Sequence, residues 1–291
     1  MNEQNKEAQV LKLKDGRNLG YAEFGDLKGT PILYFHGYVS SRLEAKLFAE
    51  KAMNHGVRII SVDRPGLGLS DFQSDRNLLD WPDDIIELAD HLGLDKFIVE
   101  GFSGGGPYAV ACAYKIPERL ICCGIIAGIG PLDMSRKDMM RANRMLFFFE
   151  RRMPFMLKMV MKVYKKTLDD PEKIHGKFTN KLLKPDRKVM EDPKNLNSMI
   201  EGTKEAFHPG LDGAIHEGKI YARPWGFDLK DISPDLQVYL WQGELDINVP
   251  ISMGRKMCEM IPKCESKFFP ADAHFSVAIN NIGEIFETLK S

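Results

Sequence analysis

The sequence predicts an α/β protein in which a mostly parallel, twisted sheet is flanked by helices. Along residues 31–126, short apolar runs alternate with segments of helical character, and the alternation returns along residues 236–291. Alternation of this kind builds strand–helix–strand units, whose strands run parallel and whose crossovers are almost always right-handed.

Residues 10–24 predict a hairpin at one edge of this sheet. The segment alternates between apolar and polar residues and carries Asp15-Gly16 at its centre, a dipeptide that favours a tight turn. Antiparallel strands are commonly added at the edge of an otherwise parallel sheet. We therefore expect an antiparallel pair before the first parallel strand.

The remaining elements follow from apolar runs and helix signals. Gly56 suits the end of a helix, where a left-handed backbone is common, and Pro82 suits a first helical turn. The predicted strands are residues 31–35, 57–62, 96–100, 120–126, 236–241 and 266–269. The predicted helices are residues 42–54, 82–93 and 252–261, one from the glycine-rich segment at 101–105 through Cys112, and one from about residue 276.

Residues 131–230 interrupt the alternation, because they are helical, irregular and poor in strand signals. They carry 21 Lys and Arg against 14 Asp and Glu, a net charge of +7, whereas the rest of the chain carries −8. Ten of the 15 methionines also lie here, and this flexible side chain suits adaptable apolar surfaces. We interpret residues 1–130 and 231–291 as a single core domain and residues 131–230 as a helical cap. A mobile lid over an apolar substrate and a plain helical core are both open interpretations of the cap.

Composition argues against several classes of partner. The net charge of −1 gives no reason to expect a nucleic acid partner, and no apolar stretch approaches the length that spans a bilayer. The N-terminus lacks the apolar core of a signal peptide, and the five cysteines show no zinc-ligand spacing. We therefore expect a cytoplasmic protein without a bound metal, in which all five cysteines are buried thiols.

A sharp turn between a strand and a helix is predicted at Gly101-Phe102-Ser103-Gly104-Gly105. This G-x-S-x-G pattern follows an apolar run and precedes a helical one, the context in which it presents a serine nucleophile. The turn strains the serine backbone and projects its hydroxyl, while Gly101 and Gly105 let the strand and the helix pack closely. A structural glycine-rich turn is the alternative.

A serine hydroxyl needs an adjacent base to react at neutral pH. Among seven histidines, His274 follows the last predicted strand and precedes the last helix, so it should lie at the same sheet edge as Ser103. Asp246 lies just beyond the preceding strand and would orient the imidazole, which gives the chain order Ser, Asp, His. A structural loop histidine is the alternative for His274. The alternative acids are Glu244, Asp272 and Asp133.

Two backbone N–H groups are needed to stabilise the charge that develops on the substrate oxygen. Gly104, directly after the nucleophile, should supply one of them. The loop after residue 35 should supply the other, and we predict the N–H of Tyr38, because Gly37 allows close backbone approach. We expect His36 to brace this loop rather than take part in chemistry.

With these residues in view, the chain resembles the α/β-hydrolase superfamily, which includes serine esterases, thioesterases and aminopeptidase relatives. The resemblance covers nearly all of the chain outside residues 131–230. It rests on His36-Gly37, Asp63-Arg-Pro-Gly-Leu-Gly-Leu-Ser70, Gly101-x-Ser-x-Gly105, Gly243-x-x-Asp246 and Ala273-His274-Phe275. It implies the fold of that superfamily, a triad of Ser103, His274 and Asp246, and a structural turn at residues 63–70.

Two departures from the superfamily pattern bear on function. Many relatives follow His-Gly with one residue and then Pro-Gly, whereas Tyr38-Val39-Ser40-Ser41 stands here, so we expect a differently shaped oxyanion loop. Proline-specific peptidase relatives usually have Gly-Gly-Ser-Trp-Gly at the elbow, and Phe102 and Gly104 replace the Gly and the Trp. Relatives that open epoxides or cleave carbon–halogen bonds use an aspartate nucleophile, which Ser103 argues against.

These features predict a serine hydrolase that cleaves a small or medium apolar carboxylic ester through an acyl-enzyme intermediate. The same triad would serve for a thioester, an amide or peptide, or a carbon–carbon bond. A small-molecule-binding protein without turnover is the alternative of another class. No organic cofactor is expected, and the residues expected to line the substrate pocket are Phe102, Met145, Phe147 and Phe148.

Basic residues follow or interleave the apolar ones in residues 146–166, namely Arg151, Arg152, Lys158, Lys162, Lys165 and Lys166. A basic, apolar stretch of this type is compatible with contact to an anionic membrane surface. A cap helix with a solvated cationic face is the interpretation that the sequence favours.

Overall fold

A computed structural model describes residues 6–131, 133–170 and 179–291. Within these residues the strands are β1 (Gln9–Lys12), β2 (Asn18–Gly25), β3 (Thr30–Phe35), β4 (Val57–Val62), β5 (Phe97–Phe102), β6 (Leu120–Ile126), β7 (Val238–Gly243) and β8 (Cys264–Phe269). They form one sheet in the order β1-β2-β4-β3-β5-β6-β7-β8.

The helices of the described residues flank this sheet or lie between β6 and β7. They are α1 (Ala49–Asn54), α2 (Trp81–His91), α3 (Gly106–Lys115), α4 (Arg141–Arg152), α5 (Pro154–Thr167), α6 (Lys184–Met190), α7 (Pro193–Ala206), α8 (Asp212–Tyr221), α9 (Ile251–Met260) and α10 (His274–Lys290). Short 3₁₀ turns join several of them.

The predicted fold class is confirmed by the strand pairing. β2 pairs antiparallel with β1 and with β4, whereas every pairing from β4 through β8 is parallel. The β1–β2 hairpin turns at Gly16, whose φ of 91° is a left-handed conformation that glycine adopts without strain. The carboxyl ends of the parallel strands therefore share one edge of the sheet, where loops from distant parts of the chain meet.

Two apolar layers hold the helices against the two faces of the sheet. One layer contains Trp81 of α2, Tyr108 of α3 and Met257 of α9, and the other contains Ala52 of α1 and Phe286 of α10. β5 lies between the layers and is buried at all six positions, with alternate side chains entering opposite layers. This central burial fixes the position of the turn that follows β5.

Most element boundaries lie within two residues of the sequence prediction, and three differences lie near the site or near the disulfide. The predicted helix 42–54 begins as a 3₁₀ helix, Arg42–Phe48, and becomes α-helical only in α1. The Arg42 backbone N–H donates to the carboxylate of Asp63. β8 begins at Cys264 rather than at residue 266. α10 begins at His274, two residues earlier than predicted, so His274 is the first residue of this helix.

The prediction that all five cysteines are buried thiols is wrong for two of them. Cys258, near the end of α9, and Cys264, at the start of β8, form a disulfide. The short turn between these elements brings their Cα atoms to 5.3 Å, which is within the range for a disulfide. The remaining three, Cys112, Cys122 and Cys123, are buried free thiols.

Between β6 and β7, the described residues form helices α4 to α8 and no strand. Leu157 and Met161 of α5 pack with Phe207, which follows α7, and with Ile215 of α8, so these helices share a small apolar core. The boundaries predicted for the cap, 131 and 230, stay a prediction. Among the described residues, no helix is long and apolar enough to cross a membrane.

Candidate active site

Ser103 lies at the carboxyl end of β5, at the start of a 3₁₀ turn that leads into α3. Its φ of 53° is left-handed, which is uncommon for a residue with a side chain. The two flanking glycines make the turn sterically feasible: a Cβ on Gly105 would lie 1.9 Å from the Phe35 carbonyl oxygen, and one on Gly101 would lie 2.4 Å from the Gly105 oxygen. The G-x-S-x-G pattern of residues 101–105 therefore lies at a strained, closely packed turn, as the sequence analysis expected.

His274 lies beside Ser103, although 171 residues separate them in the chain. The imidazole Nε2 is 2.9 Å from Ser103 Oγ, and Nδ1 is 2.7 Å from Asp246 Oδ2. All three side chains are largely buried. In this geometry a proton on Nδ1 is donated to Asp246, and Nε2 is left to accept the hydroxyl proton of Ser103.

Asp246 is itself held by several donors in the loop after β7. Its Oδ1 accepts the backbone N–H groups of Asn248 and Val249 at 2.7 and 2.9 Å, and its Oδ2 accepts from Gln242 Nε2 at 2.9 Å. These hydrogen bonds stabilise the carboxylate in the position that faces His274.

The alternative acids point elsewhere. Asp272 accepts hydrogen bonds from the side chains of Asn280 and Asn281. Glu244 pairs with Arg255 at the surface, and Asp133 is exposed. Among the described residues, none of these carboxylates takes the place of Asp246 beside the imidazole.

A second carboxylate, that of Asp186, caps the helix that His274 begins. Its Oδ1 accepts from the backbone N–H groups of Phe275 and Ser276, both at 2.9 Å, and its Oδ2 accepts from that of His274 at 3.2 Å. Asp186 comes from α6, between β6 and β7, so this segment orients the first turn of α10. A helix N-terminus carries positive potential that disfavours an imidazolium, and a capping carboxylate offsets this effect.

The electrostatic surroundings raise the pKa of His274 above its ordinary value. Burial by itself lowers this pKa, but the charge and hydrogen bond of Asp246, followed by the charges of Asp186 and Glu44, outweigh burial. The protonated imidazole is therefore stabilised, which is what a base that carries a proton during the reaction requires.

The two residues predicted to form the oxyanion hole face each other. The backbone nitrogen of Tyr38 lies 3.0 Å from the position that a Cβ on Gly104 would occupy. Helix α8 holds both: the Tyr221 hydroxyl donates to the Gly104 carbonyl at 2.9 Å, and the Tyr38 hydroxyl donates to the Ala214 carbonyl at 3.0 Å. The rings of Tyr38 and Tyr221 also meet edge to face, with centroids 5.4 Å apart.

Buried charged groups brace the loop that carries Tyr38. Arg64 donates to the carbonyl oxygens of His36 and Gly37 at 2.6 and 3.1 Å, and it pairs with Glu217 of α8. Glu44 Oε1 accepts from the Gly37 N–H at 2.8 Å. His36 is fully buried, and burial, reinforced by the charge of Arg64, holds its pKa well below the ordinary value. A neutral His36 whose Nδ1 lies 2.9 Å from the Gly37 oxygen is compatible with the bracing role predicted for it.

A cavity of about 520 Å³ opens onto Ser103 and His274. Most of its lining is apolar and includes Phe102 and Phe147, two of the four residues expected to line a substrate pocket. Met145 and Phe148 do not fit the prediction, because they are 55% and 54% exposed and lie on the outer side of α4. Successive helical positions point in different directions, so neighbours of Leu146 and Phe147 face solvent. The described residues contain no group of three or more His, Cys, Asp or Glu side chains that could hold a metal ion.

Comparison with known proteins adds to this geometry. A family described as alpha/beta hydrolase fold matches residues 30–280. The chain belongs to the α/β-hydrolase fold family.

Among curated proteins, the chain is 34% identical over 116 residues to the dihydrolipoyllysine-residue acetyltransferase component of the acetoin cleaving system of Pseudomonas putida. This match covers 40% of this chain and 31% of that protein. It is also 30% identical over 125 residues to a non-heme chloroperoxidase of Streptomyces lividans, covering 42% of this chain and 45% of that protein. The aligned part spans less than half of each of these relatives.

Solved structures of this α/β-hydrolase family are similar over almost the whole chain. A thermophilic esterase from Thermogutta terrifontis has a TM-score of 0.67 at 20% identity, with 97% of both chains covered. An esterase from Rhodococcus sp. ECU1013 has a TM-score of 0.69 at 19% identity, covering 97% of this chain and 98% of that one. At such low identity, the similarity shows the shared fold.

The sequence patterns of this α/β hydrolase did not reveal the residues that support the site through hydrogen bonds to its backbone. Asp186 and Tyr221 lie in irregular helical sequence far from Ser103 and His274, and no local pattern marks them. Glu44 had a weak signal, because it is an acidic residue seven positions after Gly37 in the predicted oxyanion loop and helix. Their roles depend on contacts between distant segments.

Proposed function

We propose that this α/β hydrolase cleaves a small or medium apolar carboxylic ester through an acyl-enzyme on Ser103. The observation that carries the proposal is the chain of contacts from Ser103 Oγ to His274 Nε2 at 2.9 Å and from His274 Nδ1 to Asp246 at 2.7 Å. The mostly apolar cavity of about 520 Å³ supports an apolar substrate. The esterases among the structural neighbours support an ester.

The reaction begins when Ser103 Oγ attacks the ester carbonyl carbon while His274 Nε2 takes the hydroxyl proton. Asp246 stabilises the imidazolium and keeps the imidazole in the required tautomer. The N–H groups of Tyr38 and Gly104 stabilise the oxyanion, each contributing roughly 3 kcal/mol. His274 then protonates the leaving alkoxide, and the C–O bond to the alcohol breaks.

Deacylation repeats these steps with water as the nucleophile. His274 takes a proton from the water, which attacks the acyl carbon, and then returns a proton to Ser103 Oγ as the carboxylic acid leaves. The same triad suits thioesters, amides and carbon–carbon bonds, so a substrate panel is needed to rank these bonds.

The test compares wild-type protein with Ser103→Ala on p-nitrophenyl esters of graded acyl length. We expect Ser103→Ala to abolish turnover and labelling by a fluorophosphonate, because the change removes the proposed nucleophile. Ser70→Ala serves as the matched control, because Ser70 is a buried serine whose hydroxyl donates to the Asp63 carbonyl, away from the triad. Fluorophosphonate labelling of another residue in Ser103→Ala would refute the assignment. Absence of turnover by the wild type on every ester and thioester would favour a binding protein.

A further inference from the structure

Helices α4 and α5 leave an unusual number of large apolar side chains in solvent. Of the 13 large hydrophobic residues that are exposed in the described part of the chain, seven lie between residues 145 and 164. They are Met145, Phe148, Met153, Phe155, Met159, Val163 and Tyr164. Exposed apolar residues scattered singly are ordinary, but a cluster of this size marks a surface that contacts something apolar.

On α5 the exposed apolar residues form a stripe along one side of the helix. Phe155, Met159 and Val163 are spaced four residues apart and are 63%, 56% and 64% exposed. The opposite side of the helix carries Leu157 and Met161, which are buried in the core shared with α8. The exposed stripe therefore does not take part in the apolar core that holds these helices together.

Positive charge accompanies this stripe. Residues 141–168 contain eight Lys and Arg and one acidic residue, a net charge of +7. On α5, Lys158 and Lys162 are exposed and lie next to the apolar stripe. Among the described residues, no carboxylate pairs with the exposed cations of this segment. These cations are Arg141, Arg144, Arg152, Lys158, Lys162, Lys165 and Lys166. A solvated cationic face, which the sequence favoured, does not account for seven exposed apolar side chains among these charges.

We propose that the outer surface of α4 and α5 docks on an anionic lipid membrane. Apolar side chains enter the interface between lipid headgroups and acyl chains, while neighbouring Lys and Arg bind the anionic headgroups. Association with a second copy of the chain fits less well, because a two-fold contact through this surface would bring the same cations against each other. None of the described helices is suited to cross a bilayer, so the contact lies on the membrane surface.

The same two helices connect this outer surface with the cavity. Leu146 and Phe147 of α4 and Tyr164 and Thr167 of α5 line the cavity that opens onto Ser103. Docking would therefore place the cavity wall next to the bilayer, from which a lipophilic ester can enter. This consequence rests on the proposed function, whereas the docking itself does not.

The test is co-sedimentation of the full-length protein with vesicles of phosphatidylcholine alone or of phosphatidylcholine with phosphatidylglycerol. We expect binding to the anionic vesicles, weakened by high salt because salt screens the Lys and Arg charges. Lys158→Gln combined with Lys162→Gln should reduce partitioning on the order of tenfold. Phe155→Ser combined with Met159→Ser should reduce it comparably. Equal binding to both vesicle types, or no binding to either, would overturn the proposal.

Matched controls separate this surface from exposed residues elsewhere. Lys51→Gln and Met53→Ser change an exposed cation and an exposed apolar residue on α1, and should leave binding unchanged. Ser103→Ala should bind vesicles as well as wild type does, so a failure of the ester proposal would not affect this result. Light scattering in solution would reveal self-association, and a dimer dispersed by the Phe155→Ser and Met159→Ser changes would refute membrane docking in favour of a protein interface.

Discussion

The protonation of His274 is the residue-scale property on which the proposed reaction depends. Burial and the N-terminal position in α10 both disfavour its imidazolium, whereas Asp246, Asp186 and Glu44 favour it, and the pKa is raised on balance. In the proposed reaction, the neutral form of His274 is the base. Activity should therefore fall as the pH is lowered through the raised pKa of His274.

Removing the charge of Asp186 should move this pH dependence in a defined direction. Asp186→Asn keeps an oxygen that can cap α10 but loses the negative charge that raises the pKa of His274. We expect the acid limb of kcat/KM to shift to lower pH, as measured over a full pH–rate profile. Asp272→Asn, which removes a carboxylate from the turn just before α10, is the control and should leave the limb in place. An unshifted limb in Asp186→Asn would mean that Asp186 has only a structural role.

At the scale of elements, helix α8 joins the segment between β6 and β7 to the oxyanion loop. Tyr221 holds the Gly104 carbonyl, the Ala214 carbonyl holds the Tyr38 hydroxyl, and Glu217 pairs with the buried Arg64. Arg64 in turn holds the carbonyl oxygens of the loop between β3 and α1. The geometry of the proposed oxyanion donors, Tyr38 and Gly104, is thus set by packing between segments that are far apart in the chain.

Loss of the Tyr221 hydroxyl should therefore affect the rate more than substrate binding. Tyr221→Phe keeps the ring but removes the hydrogen bond to the Gly104 carbonyl. We expect kcat to fall about tenfold with little change in KM. The expected effect is smaller than the loss of kcat on complete removal of an oxyanion donor, which is roughly 10²–10³-fold. Stability should fall by about 1 kcal/mol. Tyr108→Phe removes another buried hydroxyl, which accepts from Arg76, and is the control for a purely structural loss. Equal kcat values for the two variants would contradict this role of Tyr221.

At the scale of the whole molecule, the central strand β5 contains a buried carboxyl group without a hydrogen-bond partner among the described residues. Glu100 of β5 is fully buried, and neither carboxyl oxygen has a hydrogen-bond partner among the described residues. Burial raises its pKa to about 8, so the side chain is mostly protonated at neutral pH in the folded protein. In the unfolded chain the same group ionises near pH 4.5.

This difference makes Glu100 destabilising as the pH rises. Between pH 4.5 and about 8, the folded state holds a proton that the unfolded state has released, so stability falls by roughly 1.4 kcal/mol per pH unit on account of this group. Glu100→Gln cannot ionise, so we expect its free energy of unfolding relative to wild type to be higher at pH 8 than at pH 5. Urea denaturation at both pH values measures this. The control is Glu265→Gln, which changes an exposed carboxylate, and its free energy of unfolding relative to wild type should be the same at pH 5 and pH 8. If the difference between Glu100→Gln and wild type were also the same at the two pH values, the prediction would be contradicted.

The positions of Ser103, Asp246 and His274 were predictable because each follows a parallel strand, and the carboxyl ends of such strands meet at one sheet edge. The alternation of strands and helices that creates this edge is a local property, expressed in apolar runs, and the turn at Ser103 is expressed in Gly101 and Gly105. The early start of α10 was not predictable, because the carboxylate that caps this helix comes from Asp186 in a distant segment.

What the sequence determined by itself is the mostly parallel sheet, its antiparallel edge and the strained serine turn, since hydrophobic periodicity and glycine placement act over a few residues. Tertiary structure alone decided which carboxylates surround His274, how α8 fixes Tyr38 and Gly104, that Cys258 and Cys264 are bonded, and which side of α4 and α5 faces solvent. These features arise from packing between segments that are distant in the chain, and no local pattern encodes such contacts.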